Sequence, residues 1–256
     1  MGAAELGLRQ NYRRREVETL IRSLLHKKPL DHVRAENKVP DYRDDVIGKR
    51  SKIILRLRVL QLIIKSDWAG AQRIVYEICR GLKETADIGI DVEVAVNGEG
   101  SLVKKIEDLG VKVHIIRNFV REINSIEDLA AYIEIKELLK KNKYDVVHCH
   151  SSKTGILGRI VAKKAKMQKA AYTIHGWWRI TRYKGFRRKV ALSIEKHMFK
   201  MTHKLVFVCN KDKDFAIKQR IGRLIQHIVI TNRIAVPGIK PVNYVLSWAF
   251  LKLQKS

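Results

Sequence analysis

Three short segments hold the side chains best suited to chemistry. VVHCHSSKTGILGR (residues 146–159) sets His148 and His150 two apart, so on an extended chain both rings point to one side and Cys149 to the other. In YTIHGWW (residues 172–178), His175 can donate hydrogen bonds to a hydroxyl or phosphate, and Gly176 gives a ligand access. Trp177 and Trp178 carry ring faces suited to a sugar or a lipid interface. In KSDWAGAQR (residues 65–73), Gly70 stands where an extended run turns into a helical pattern. Backbone N–H groups there can approach an anion, and Asp67 is spaced to cap the helix. Each feature also has a structural reading: a capped turn at Gly70, a satisfied core histidine, a buried aromatic pair. His148, Cys149 and His150 make a poor metal set, because alternate residues face opposite sides and no carboxylate stands near. No metal is expected. Asp212 and Asp214 in KDKD open a helical pattern, where acids favour the dipole.

These segments lie at the ends of short β-branched runs: Leu57–Ile64, Val92–Val96, Val111–Ile116, Tyr144–His148, Ala170–Ile174, Lys204–Cys209 and His227–Ile230. Amphipathic helical patterns separate them, at about 70–85, 101–109, 126–141, 153–166, 186–201 and 211–220. Alternation of this kind predicts βαβ units. The expected fold is α/β: a single Rossmann-like, doubly wound, mainly parallel sheet of about seven strands over residues 52–232, with helices on both faces. In such sheets ligands bind at the carboxyl ends of the strands near the switch in strand order, where His150, His175 and Gly70 would stand. Residues 1–50 read as a polar, basic extension with a short helical pattern at Asn11–Leu25. Residues 233–256 read as a divergent tail containing the apolar stretch Asn243–Leu253.

The chain of 256 residues has a net charge of +26, and the charge is uneven. Residues 151–256 hold 24 basic and 3 acidic groups, the acids being Glu195, Asp212 and Asp214. In RITRYKGFRRK (residues 179–189), Arg179, Arg182, Lys184, Arg187, Arg188 and Lys189 interleave with Tyr183 and Phe186. That mixture suits an anionic membrane surface or another phosphate-rich partner. A nucleic acid is the less favoured partner, because no recognised nucleic-acid motif accompanies the charge. No uncharged apolar run reaches the roughly 18 residues of a spanning helix. Nor is there a signal-peptide stretch. Cys79, Cys149 and Cys209 are too scattered for a disulfide framework and fit a reducing compartment. The expected location is cytoplasmic, peripheral on the inner face of the membrane.

Taken together, DWAGAQRIVYEICRGL, then GSLVKKIEDLGVKVHIIRNFVREINSIEDLAAYIEIKELLKKNKYDVVHCHSSKTGILGRIVAKKA, then AYTIHGWW resemble the N-terminal domain of glycosyltransferase family 4. The resemblance covers roughly residues 57–232, in unbroken order. It implies half of a GT-B fold, in which two Rossmann-like domains face each other across a cleft. It also implies retaining transfer of a sugar from a nucleotide-sugar donor to a lipid-linked or polysaccharide acceptor, with no cofactor. Position by position, it implies Gly70 in the loop near the donor phosphates, with Ala69 in place of the family's first glycine. It places His150 on the acceptor side and His175 against the transferred sugar, with Arg73 and Lys153 as weaker anion contacts.

The resemblance stops where the family's second domain, with its Lys/Arg pair and paired glutamates, should begin. In ITNRIAVPG, Arg233 stands at an expected glycine. The chain is therefore expected to be an acceptor-side half that needs a donor-binding partner polypeptide, or a truncated product. The alternative is a non-catalytic membrane- or carbohydrate-binding module of the same fold.

Overall fold

The computed structural model describes residues 57–84, 89–120, 124–167 and 169–230. The expectations for residues 1–50 and 233–256 lie outside the described residues, as do the side chains of Trp178 and Arg179.

Seven strands form one sheet: β1 (Leu57–Lys65), β2 (Ile90–Asn97), β3 (Val113–Ile115), β4 (Val146–His150), β5 (Lys169–Ile174), β6 (Lys204–Phe207) and β7 (His227–Val229). Their order is β3-β2-β1-β4-β5-β6-β7, and every pairing is parallel. The connecting helices are α1 (Gly70–Glu84), α2 (Ser101–Glu107), α3 (Ser125–Asn142), α4 (Ser152–Lys164), α5 (Trp178–Arg182), α6 (Gly185–Met198) and α7 (Asn210–Lys218). The doubly wound α/β reading holds. Strand order reverses between β1 and β4, so right-handed crossovers set α1 and α2 on one face and α3, α4, α6 and α7 on the other.

The central strands are apolar on both faces because helices cover both. In β1 the stretch Val59–Ile64 is buried throughout, and Gln61 is its one polar member. One core lies over the second face: Leu60, Leu62, Val147, Cys149, Tyr172 and Phe207 from the sheet meet Ile135, Leu139, Val161 and Ala216 from the helices. On the first face α1 presents Ile74, Val75, Ile78, Cys79 and Leu82 at helical spacing, all buried. The signals that bound α3 are local. The Asn124 side chain accepts from the Ile126 and Glu127 N–H groups, acids fill the first turn, and Lys143 closes the helix in a left-handed conformation.

At the starts of the strands, Glu93 accepts from Tyr144 and from the Arg58 guanidinium at 2.8 Å, and lies 2.6 Å from His114 Nε2. Burial alone would raise this carboxyl, but the bonds from Tyr144, His114 and Arg58 hold it below the usual carboxylate range. This cluster ties β1, β2 and β3 together at the sheet edge opposite the strand ends.

Candidate active site

The turns after β1, β4 and β5 leave the same edge of the sheet side by side, because the three strands are parallel and adjacent in the order β1-β4-β5. This edge is also the switch in strand order. Sheet register brings Gln61 of β1 level with His148 of β4, and His150 level with Thr173 of β5.

The two-residue spacing of His148 and His150 does put both rings together, 4.1 Å apart between centroids. His148 Nε2 lies 2.7 Å from the Thr173 hydroxyl, and His150 Nε2 lies 2.8 Å from Gln61 Oε1. His150 Nδ1 faces His175 Nε2 at 3.4 Å, so β4 and β5 bring the two predicted histidines into contact. Burial pushes His148 down to about 3 and His175 to about 4. It drives His150 well below the ordinary range, with His148 and His175 adding to the effect. All three rings are therefore neutral at physiological pH, each with one N–H and one lone pair.

Backbone geometry around the histidines is unusual. Gly176 has φ of 124° and Ser151 has φ of 79° with ψ of 161°. The Ser151 conformation belongs to a region occupied almost only by glycine and costs of order 1–3 kcal/mol. Thr154 supports it by donating to the carbonyls of His150 and Ser151. Ser151 takes the first capping position of α4 but makes no capping bond. Gly155 and Gly158 let α4 lie directly on Tyr172, Cys149 and Leu62.

The Gly70 turn is open, and a methyl group there would meet nothing within 4 Å. Arg73 is exposed in the first turn of α1, and its N–H bonds the Ala69 carbonyl. Ala69, rather than Asp67, therefore holds the capping position. The turn is braced from behind, where the Leu102 N–H donates to the Ser66 carbonyl at 2.8 Å. Gly100 lies so close to Ser66 that a Cβ would come within 2.6 Å of its main chain.

Two of the residues expected at the ligand have partners within the protein. The Lys153 ammonium is paired with Asp128 of α3, so its charge is already partly engaged. Trp177 is 4% exposed and packs on Phe215 at 5.5 Å, so its ring offers no open face to a sugar. Its indole N–H donates to the Asp212 carbonyl at 2.8 Å, and its backbone N–H to the Asp212 carboxylate at 3.3 Å. Asp212 thus anchors the loop after His175 instead of capping α7 with its side chain.

In the basic segment Arg182, Lys184, Arg187 and Lys189 are exposed and Arg188 is half-buried. Phe186, expected among the basic residues, is 80% exposed, and sequence reasoning missed that Val190 and Ile194 of α6, 39% and 41% exposed, continue it at four-residue spacing. It missed Gln61, Thr154 and Gly100 as well. A lone polar residue inside an apolar strand was the available signal for Gln61. Cys79 and Cys149 are free and buried, and burial raises both thiols, Cys149 to about 12. Among the described residues no group of three His, Cys, Asp or Glu side chains is arranged to hold a metal ion, and no helix is long and apolar enough to cross a membrane.

Comparison with known proteins bears on the family and the fold. The sequence model of glycosyltransferase family 4 matches residues 68–232. A UDP-Gal:alpha-D-GlcNAc-diphosphoundecaprenol alpha-1,3-galactosyltransferase of Escherichia coli is 32% identical over 155 residues, which are 59% of this chain and 39% of that protein. A putative glycosyltransferase, EpsD, of Bacillus subtilis (strain 168) is 32% identical over 92 residues, 35% of this chain and 23% of that protein. The chain thus spans less than half the length of the curated relatives it matches. Among solved structures, a glycosyltransferase from Rickettsia africae ESF-5 superposes with a TM-score of 0.56 at 17% identity, covering 79% of this chain and 51% of that one. Anabaena Alr3699/HepE in complex with UDP and glucose gives 0.54 at 17% identity, over 70% and 45%. These likenesses show a shared fold, a Rossmann-like lobe of GT-B type.

Proposed function

The chain belongs to glycosyltransferase family 4, and on that premise we propose that its strand-end edge is the acceptor-side wall of a sugar-transfer cleft. The donor is a nucleotide-sugar, held jointly with a second, donor-binding lobe. The acceptor is a lipid-linked or polysaccharide glycan, and transfer retains anomeric configuration. The E. coli relative, named for transfer from UDP-Gal to a GlcNAc-diphosphoundecaprenol, supports a UDP-sugar donor and a polyprenyl-diphosphate acceptor.

The observation that carries this reading is the contact between His150 and His175 at the switch in strand order, beside the open Gly70 turn. A neutral His175 imidazole, backed by the buried His150, suits uncharged sugar hydroxyls, and the Gly70 turn, with Arg73 in the first helical turn, suits the donor phosphates. Helix α6 supplies the approach to the acceptor. Phe186, Val190 and Ile194 form an exposed apolar stripe flanked by Arg187 and Lys189, and such a face inserts into an anionic bilayer surface.

The test is transfer of labelled sugar from UDP-galactose and UDP-glucose to a polyprenyl-diphosphate-linked acceptor, with the donor-binding lobe of a relative supplied in trans or fused. His175→Ala and His150→Ala should each abolish transfer, and Phe186→Ser should weaken sedimentation with anionic vesicles. The alternative reading is a non-catalytic membrane- or carbohydrate-binding module. It gains ground if vesicle binding is strong, survives His175→Ala, and no transfer occurs with any donor.

A further inference from the structure

We propose that Gln61 sets the tautomers of the two strand-end histidines, so that His175 presents its ligand with a hydrogen-bond acceptor. Gln61 is fully buried in a strand otherwise apolar from Val59 to Ile64. A buried amide is costly unless it is bonded, and its bond runs from Oε1 to His150 Nε2 at 2.8 Å. An amide oxygen only accepts, so His150 carries its proton on Nε2 and leaves Nδ1 as a lone pair. That lone pair faces His175 Nε2 at 3.4 Å, which must then be the protonated nitrogen. The remaining nitrogen of a neutral His175, Nδ1, is a bare acceptor with no partner among the described residues. His148 stands outside this relay, with its Nε2 2.7 Å from the Thr173 hydroxyl, which can donate or accept.

A bare imidazole nitrogen accepts from an O–H group and repels a phosphate oxygen. The ligand class at His175 is therefore a hydroxyl, which narrows the sequence expectation of a donor to hydroxyl or phosphate. This last step rests on the sugar-transfer reading above; the tautomer assignment does not. Gln61 touches no ligand and acts as a positioning residue. Its amide nitrogen is left without a partner. Turning the amide over would reverse every donor in the chain and make His175 a donor.

The test is long-range proton–nitrogen correlation NMR on the full chain labelled with nitrogen-15 histidine, at neutral pH. The expected result is an Nε2–H tautomer for both His150 and His175. An Nδ1–H tautomer at either ring overturns the proposal. Gln61→Glu retains an acceptor and should preserve both tautomers, whereas Gln61→Leu should leave His150 as a mixture. An unchanged His150 in a folded Gln61→Leu protein overturns the role of Gln61, and if that variant fails to fold, Gln61→Met serves. On titration with UDP-glucose or UDP-galactose, with the donor-binding lobe of a relative supplied in trans or fused, His175 Nδ1 should shift, and it should not respond to UDP or inorganic phosphate. A response to phosphate alone overturns the assignment of His175 as an acceptor. Expected tautomers with no response to either sugar nucleotide would uphold the Gln61 relay and count against the sugar-transfer reading.

Discussion

Trp177 and Asp212 are bonded twice, indole N–H to main-chain carbonyl and backbone N–H to carboxylate, across the turns that follow β5 and β6. The pair holds the end of the His175-Gly176 segment to the start of α7. Asp212→Ala removes the carboxylate and leaves the Trp177 N–H without that partner, a loss of about 1–2 kcal/mol. The urea midpoint should fall accordingly, and the His175 resonances should broaden. An unchanged midpoint with sharp His175 signals would show that the loop stands without this anchor.

Gly70 and Gly100 should respond in opposite ways to the same methyl group. Gly70→Ala meets open space, so the melting temperature should hardly move while donor binding in a complete cleft falls. Gly100→Ala drives a Cβ into the Ser66 main chain and should cost about 1–3 kcal/mol. Differential scanning calorimetry of the two variants checks the contrast, and equal losses would refute it.

Acid should destabilise the fold through the buried histidines. Unfolded imidazoles titrate near 6.5, whereas His148 and His175 are held at about 3 and about 4 here. Between those values the unfolded chain takes up protons that the folded chain refuses. Their contribution is fully present above pH 6.5 and is lost as pH falls toward 4, by up to about 1.4 kcal/mol per group per pH unit. Urea unfolding at pH 7 and pH 5 should show the drop, and His175→Gln should shallow it. The same slope in wild type and variant would contradict the assignment.

Arg159 and Glu195 join α4 to α6 through a 3.1 Å ion pair with side-chain exposures of 0% and 7%. Removing one partner leaves a buried charge, so Glu195→Ala should cost about 3–5 kcal/mol. Replacing both, as Arg159→Met with Glu195→Leu, should cost much less than the two single losses combined. A double-mutant cycle by chemical denaturation decides it, and additive losses would mean the two charges do not depend on each other.

The sheet was legible from local pattern alone. Seven apolar runs separated by six amphipathic stretches correspond to the seven strands and to every connecting helix but the short α5, because a parallel sheet covered on both faces needs continuous apolar strands and one-sided helices. The strand-end position of His150, His175 and Gly70 followed from chain order and the handedness of crossovers. Register was beyond that reach. Which residue of β1 lies level with which residue of β4 depends on the packing of many side chains at once, and that register brings Gln61 to the histidines. The same holds for Trp177. Its aromatic ring and neighbouring glycine suited a ligand face, and only the close return of α7 shows that the ring is buried under Phe215 and bonded to Asp212. Local pattern decides which elements form, since propensity and burial act over a few residues. Which polar atoms meet at the strand ends is decided by contacts between residues 25 to 89 positions apart, such as His148 with Thr173 and His150 with Gln61.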